Sequence, residues 1–291
     1  MSRGLDHIVH AVRDLNAAAA LYRRLGFTVG ARNVHPPAWG TQNHIVQFSG
    51  GFVELLAMAD ASRIEPHAPR HFSFGAFNRD FLARGEGLSM LVLEGGDTAA
   101  EAETFRTAGI GDFEPFHFER AAARPDGTSV KVAFSLAFAR DPAAPDIGFF
   151  TCRQHHPENF WNPAFQQHPN TAATIAGVVL VADNPSDHHI FLSAFAGERD
   201  LLATPTGVMV TTTRGEIQVM APAAFASHFG VAPPDTARGA RLAALRFAVR
   251  DVRATANLLR NADPGIGQHM GRMIAGPAAA MGATLVFEPA Q

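Results

Sequence analysis

One cysteine, Cys152, occurs in 291 residues, so no internal disulfide framework exists and the thiol usage fits a reducing compartment. Lysine is equally scarce: Lys131 stands alone against many arginines, which leaves little for Schiff-base chemistry. Charged residues make up only 18% of the chain and the formal net charge is −3, so neither nucleic acid nor an anionic membrane is an expected partner. No apolar run is long enough to span a membrane, and residues 1–15 lack the charged-then-apolar pattern of a signal peptide; the expected location is the cytoplasm. Nucleotide and hydrolase signatures are missing as well. There is no Gly-x-Ser-x-Gly elbow and no Gly-x-x-x-x-Gly-Lys loop, and Gly265-Ile266-Gly267 follows no strand. What is present is apolar: 47% hydrophobic content, enough for a sizeable core in one large domain or two ordinary ones.

The opening segment reads as strand, helix, three strands. Residues 5–12 are apolar and partly β-branched, and Leu15, Ala18, Leu21, Tyr22 and Leu25 carry helical spacing that Gly26 closes. Strands are expected near 27–32, 42–48 and 52–58. The order recurs as a strand at 88–93, a helix at 98–108, and strands near 114–120, 130–139 and 147–154. Two shorter copies follow: 175–181, helix 186–196, strands 208–213 and 216–221, then 242–249, helix 252–261, strand 283–288. At three of the strand-to-helix junctions an aspartate (Asp14, Asp183, Asp251) is placed to cap the helix, whereas the second copy has Gly95-Gly96-Asp97. Residues 156–174, rich in Pro, Asn and Gln, read as a linker, giving expected domains 1–157 and 175–291 of an α+β protein built from βαβββ modules.

Two ionisable groups stand alone in apolar strands: His7 in Leu5-Asp6-His7-Ile8-Val9 and Glu54 in Phe52-Val53-Glu54-Leu55-Leu56. Such a group needs a polar partner or a cavity, so the pair reads either as two ligands of a divalent metal or as a hydrogen-bonded pair. A third metal ligand would have to come from elsewhere. Gln154 or His155, at the end of the 147–154 strand, is a candidate, the alternative being a solvated strand end. Alternation along Thr41-Asn43-Ile45-Gln47 puts Asn43 and Gln47 on the inner face as substrate-binding candidates with Gln154, and His44 against the helix side. Phe149, Phe150, Phe160 and Trp161 read as an apolar substrate wall or as plain core, and Phe150 is taken as the wall candidate. His188 and His189 are adjacent in a helix, share no face, and are expected at the surface.

The βαβββ order with Leu5-Asp6-His7-Ile8-Val9, Leu25-Gly26-Phe27, Gly40-Thr41-Gln42-Asn43 and the Glu54 strand resembles the vicinal oxygen chelate superfamily, and within it the glyoxalase-like branch. The resemblance implies modules paired into two cupped, mostly antiparallel sheets, with a metal inside held from first and fourth strands, where His7 and Glu54 fall. It implies a metal-assisted lyase, isomerase or dioxygenase acting on a small oxygenated substrate, with Glu54 catalytic, or a non-catalytic small-molecule binder of the same superfamily. A homodimer is left open. The chain departs from the pattern elsewhere: Met90, Ala176 and Ala244 align with His7, and Thr151, Gln218 and Leu285 with Glu54, so a full four-ligand set is missing.

Overall fold

The computed structural model describes residues 2–123 and 127–290. The first module is β1 (Leu5–Ala11), α1 (Leu15–Arg24), β2 (Asn33–Val34), β3 (Thr41–Phe48) and β4 (Gly51–Met58). An added helix, α2 (Phe74–Arg84), precedes the second: β5 (Gly87–Glu94), α3 (Thr98–Thr107), β6 (Phe116–Ala123), β7 (Ser129–Ala139) and β8 (Gly148–Gln154). After the short helix α4 (Pro157–Phe160) comes the third, β9 (Ala172–Val181), α5 (His189–Ala196), β10 (Leu201–Thr204), β11 (Gly207–Thr211) and β12 (Glu216–Met220). Helix α6 (Pro222–Phe229) leads to the fourth, β13 (Arg241–Val249), α7 (Val252–Ala262), β14 (Gly267–His269), β15 (Arg272–Ala275) and β16 (Thr284–Pro289).

These strands form two eight-stranded sheets, β2-β3-β4-β1-β5-β8-β7-β6 and β10-β11-β12-β9-β13-β16-β15-β14. The second order is the first with every index raised by eight, which is the repeat expressed as topology. In each sheet the first strand of a module pairs parallel with its fourth, and the two first strands meet antiparallel at the centre. The other neighbours are antiparallel, so the expected α+β, mostly antiparallel class holds.

Being central, β1 is buried at all seven positions. The Asp14 side chain accepts from Ala17 N–H at the start of α1. Gly26 ends it at φ +82°, with Gly26 N–H bonded to Arg23 O and Phe27 N–H to Tyr22 O, the six-to-one and five-to-two pattern of a Schellman stop. Asp251 caps α7 in the same way. Asp97 caps α3, so the second module keeps the chemistry that its Gly95-Gly96 disguised, whereas Asp183 caps nothing and accepts instead from Thr236 Oγ1. The strand expected near 27–32 is replaced by one bond, Gly30 N–H to Ile45 O, ahead of the two-residue β2. Modules three and four carry all their strands, but β10, β14 and β15 have four residues or fewer.

One apolar core runs between the helix-side faces of both halves, with Phe27, Phe48, Phe247 and Phe287 at its centre (Phe27 to Phe247, 4.9 Å between rings). His188 belongs to this junction and is buried, its Nδ1 2.7 Å from Asp141 Oδ2, contrary to the surface position expected of it. The turn that precedes α5 aims it across to the first half, a tertiary contact that helix spacing cannot reveal. A second cluster (Val9, Leu56, Met90, Val92, Phe134, Leu136, Phe138, Phe150) lines the concave side of the first sheet. Among the described residues no helix is long and apolar enough to cross a membrane.

Candidate functional site

The concave face of the first sheet encloses a cavity of about 60 Å³, walled by Trp39, Phe52, Phe74, Phe118, Phe134, Phe150 and Phe160 around His7, His35, Asn43, Glu54 and Arg120. His7 lies in β1 where the ladder to β5 shifts register, between Leu5 and His7 and again between Val9 and His10. In that break Asp6, whose side chain alternation would send to the other face, reaches His7: Asp6 Oδ1 is 2.5 Å from His7 Nδ1. An ionised carboxylate only accepts, so Nδ1 carries a proton, and in the neutral ring the lone pair is on Nε2. The ring stacks on Phe52, 4.2 Å away, and meets the edge of Phe150 at 5.6 Å. These contacts fix its plane, with Nε2 3.9 Å from Glu54 Oε2.

Glu54 is central in β4, between Val9 of β1 and Ile45 of β3. Asn43 Nδ2 donates to its Oε1 at 2.6 Å and lies 2.9 Å from His35 Nε2. The amide orientation is set by Asn33, whose Nδ2 donates to Asn43 Oδ1. Asn43 Nδ2 thus sits against both Glu54 Oε1 and His35 Nε2, which are themselves 3.3 Å apart, while His35 Nδ1 faces Thr41 Oγ1 at 2.8 Å. Burial pushes the Glu54 carboxyl upward, but His35, His7 and the Asn43 amide together outweigh it and hold Glu54 below the usual carboxylate range. Cys152, also on the cavity wall, goes the other way: burial and the nearby carboxylates Asp6, Glu54 and Glu101 keep it a thiol and a poor nucleophile.

The expected site residues separate on inspection. His7, Asn43, Glu54 and Phe150 share the cavity. Gln47 is buried but turned outward to the segment after β8, donating to Phe160 O and accepting from Asn162 N–H. Gln154 lies in a neighbouring groove and reaches the site only through Asp6, donating to its Oδ2 at 3.2 Å. His155 does not join His7 and Glu54: it is exposed, its Nε2 2.7 Å from Ser135 Oγ, because the chain has left the sheet at Gln154. Phe149 faces away from the cavity, into the core against Phe191 and Phe195. His44 points to the helix side and bonds Gly30 O.

Sequence reasoning missed Asp6, His35 and Arg120. Asp6 needed the register break, and His35 lies in the Pro-rich loop after β2, where no period applies. Arg120 had a readable signal, since Phe116, Phe118 and Arg120 alternate along β6.

A divalent metal of the kind the resemblance implies does not fit this donor set. Catalytic metal sites ordinarily gather three protein donors on one point. Here His7 faces Glu54 Oε2 while His35 and Asn43 face Oε1, and among the described residues no three His, Cys, Asp or Glu side chains converge on a shared point.

The family model described as a glyoxalase-like domain matches residues 5–195. No curated protein matches the chain. Among solved structures, a hypothetical protein from Staphylococcus aureus superposes with a TM-score of 0.67 at 12% identity, covering 99% of this chain and 100% of that one. A mutant of 4-hydroxymandelate synthase from Streptomyces coelicolor superposes with a TM-score of 0.58 at 11% identity, over 100% of this chain and 94% of that one. At such identities the likeness is one of fold.

Proposed function

From the premise that the chain belongs to the glyoxalase-like domain family, we propose that its first cup binds a small oxygenated molecule and moves a proton on it, as an isomerase or lyase does. One observation carries the reading: His7 Nδ1 is tied to Asp6 at 2.5 Å, and its free Nε2 stands 3.9 Å from Glu54 Oε2. That gap is too long for a hydrogen bond and leaves two acceptors side by side: a substrate hydroxyl about 2.8 Å from Glu54 Oε2 can donate to it while Nε2 stays free for a proton on the adjacent carbon. In this arrangement His7 Nε2 takes the proton from a carbon next to a carbonyl and returns it. Asp6 and Glu54 stabilise the imidazolium from either side, and Glu54 accepts from the substrate hydroxyl. The aromatic wall excludes water, which strengthens each of these interactions.

The test is proton exchange from D2O into enolisable carbonyl compounds, followed by NMR with the full chain. His7→Gln is expected to slow exchange by about 10²–10⁴-fold, the usual weight of a positioned acid–base group. Exchange unchanged in His7→Gln refutes the assignment. Ligand binding without exchange in any compound supports the second reading, sequestration without chemistry. Stoichiometric metal in protein purified without chelator, lost in both His7→Ala and Glu54→Gln, would turn both residues into ligands instead.

A further inference from the structure

Among the described residues Arg120 is the one lysine or arginine that lines the inner cavity, and it also lines the larger groove outside it, of about 540 Å³. Ile45 and Phe160 are the other residues common to both spaces, so the guanidinium stands at the boundary between them. It makes no ion pair among the described residues, and its hydrogen bond is a 3.4 Å contact to the Ala121 carbonyl. Three neighbouring cations are matched: Lys131 with Glu119 at 2.5 Å, Arg3 with Glu101 at 3.2 Å, Arg214 with Glu94 at 2.6 Å. A half-buried guanidinium with five donors and no anion is unsatisfied chemistry. Burial lowers the pKa of Arg120 against the pull of Glu54, so an added anion beside it relieves a real cost.

A continuous aromatic wall joins this cation to the polar end of the cavity. His7 stacks on Phe52, Phe52 meets Phe160 at 5.1 Å, Phe160 meets Phe134 at 5.8 Å, and Phe134 stacks on Phe118 at 5.2 Å. Arg120 follows Phe118 on the same face of β6. The inner cavity is far smaller than the roughly 300–1,000 Å³ of ordinary ligand pockets, whereas the outer groove falls within that range. A ligand therefore fits with its reacting group inside, its anion at the boundary and its apolar body in the groove.

We propose that Arg120 is a carboxylate anchor, and that the ligand of this site is a small monoanionic acid with an apolar body. The proposal rests on the reading above in taking the same cavity as the substrate site, and it names the substrate class. The guanidinium fork matches carboxylate and phosphate alike. The surroundings choose between them: Glu54 shares the inner cavity and Glu158 lines the outer groove, and among the described residues no second lysine or arginine lines either space to offset a dianion.

The experiment is calorimetric titration of the full chain at pH 8 with 3-phenylpropionate, 3-phenylpropionamide and 2-phenylethylphosphonate. The acid is expected to bind at least tenfold tighter than the amide, the weight of a charged hydrogen-bonded pair, and tighter than the phosphonate. Arg120→Met should bring the acid down to the amide without weakening the amide, Arg120→Lys should fall between, and Arg153→Met on the exposed strand end should change nothing. Arg120 is on an edge strand, and unchanged melting of the variants confirms that they fold. Equal binding of acid and amide, no binding of any probe, a phosphonate that binds tightest, or an Arg120→Met variant that weakens both acid and amide would each overturn the anchor. His7→Gln keeps the acid's advantage if the anchor is right. Selectivity without proton exchange thus fails only the catalytic reading, and exchange without selectivity fails only the anchor.

Discussion

Lowering the pH should loosen the segment that carries Phe160, through one buried histidine. His168 accepts from Thr28 N–H at Nδ1 (3.0 Å) and donates from Nε2 to Gln47 O (2.9 Å), with its ring between Phe27 and Phe48. A proton on Nδ1 would remove the Thr28 bond and bury a charge. Burial accordingly lowers its pKa to about 4 from 6.5, with the Gln47 carbonyl pulling upward and Arg250 adding to the drop. A histidine whose folded pKa is depressed binds its proton better in the unfolded chain, so it costs nothing above pH 6.5 and destabilises as pH falls toward 4. Linkage with these two values gives a loss of about 1.8 kcal/mol between pH 7 and pH 5, which residual solvent screening lowers toward about 1 kcal/mol. Urea unfolding at pH 7, 6 and 5 measures it. His10 is shifted in the same direction by burial, so the informative quantity is the difference between wild type and His168→Gln. The variant should lose about 1–2 kcal/mol less over that range, and Thr28 amide exchange should accelerate in the wild type alone. Parallel pH dependence in the two proteins would refute the argument.

Gly75→Ala should disturb the cavity wall, because a Cβ there would lie 2.1 Å from the Trp39 carbonyl oxygen while Trp39 stacks on Phe74 at 4.3 Å. A loss of about 1–3 kcal/mol and a shift in tryptophan emission are expected, and a variant matching wild type in both contradicts the packing. Arg246→Met should cost about 3 kcal/mol in urea unfolding, since it removes the guanidinium that lies 2.6 Å from buried Glu288 and 2.7 Å from Glu216 and leaves Glu288 to Arg272 alone; a loss under about 1 kcal/mol would count against a buried pair. Asp6→Asn keeps the shape but frees the His7 tautomer, so proton exchange should fall about 10²-fold or more while ligand affinity holds. Equal exchange rates would show that Asp6 has no positioning role.

What the sequence disclosed follows from where periodicity is strong. His7, Asn43 and Glu54 each sit in a strand of seven or eight residues, where a period of two leaves little freedom, and alternation alone brings them to one face. Asp6 defeats the same rule because a register shift turns it, and His35 because a loop has no period. His155 lies one residue past the end of β8, where alternation no longer says which way a side chain points. The second cup shows how far the repeat can be trusted. In register, Val9 pairs with Glu54 and Val179 with Gln218, which supports setting Gln218 opposite Glu54. The same register sets Gly177, paired with Glu216, where His7 pairs with Phe52, in place of the Ala176 suggested by strand starts. A Cβ on Gly177 would lie 2.7 Å from the Glu216 carbonyl, so no imidazole fits there. Arg246, the partner of Gly177 on the other side, reaches over it to Glu216 and also holds Glu288, which Arg272 meets at 3.1 Å. The topology is duplicated, but in the second cup a closed ion network occupies the ground where the first holds an open imidazole. The first cup alone, among the described residues, sets an imidazole of its central strand against a cavity, and the proton transfer proposed above needs that opening.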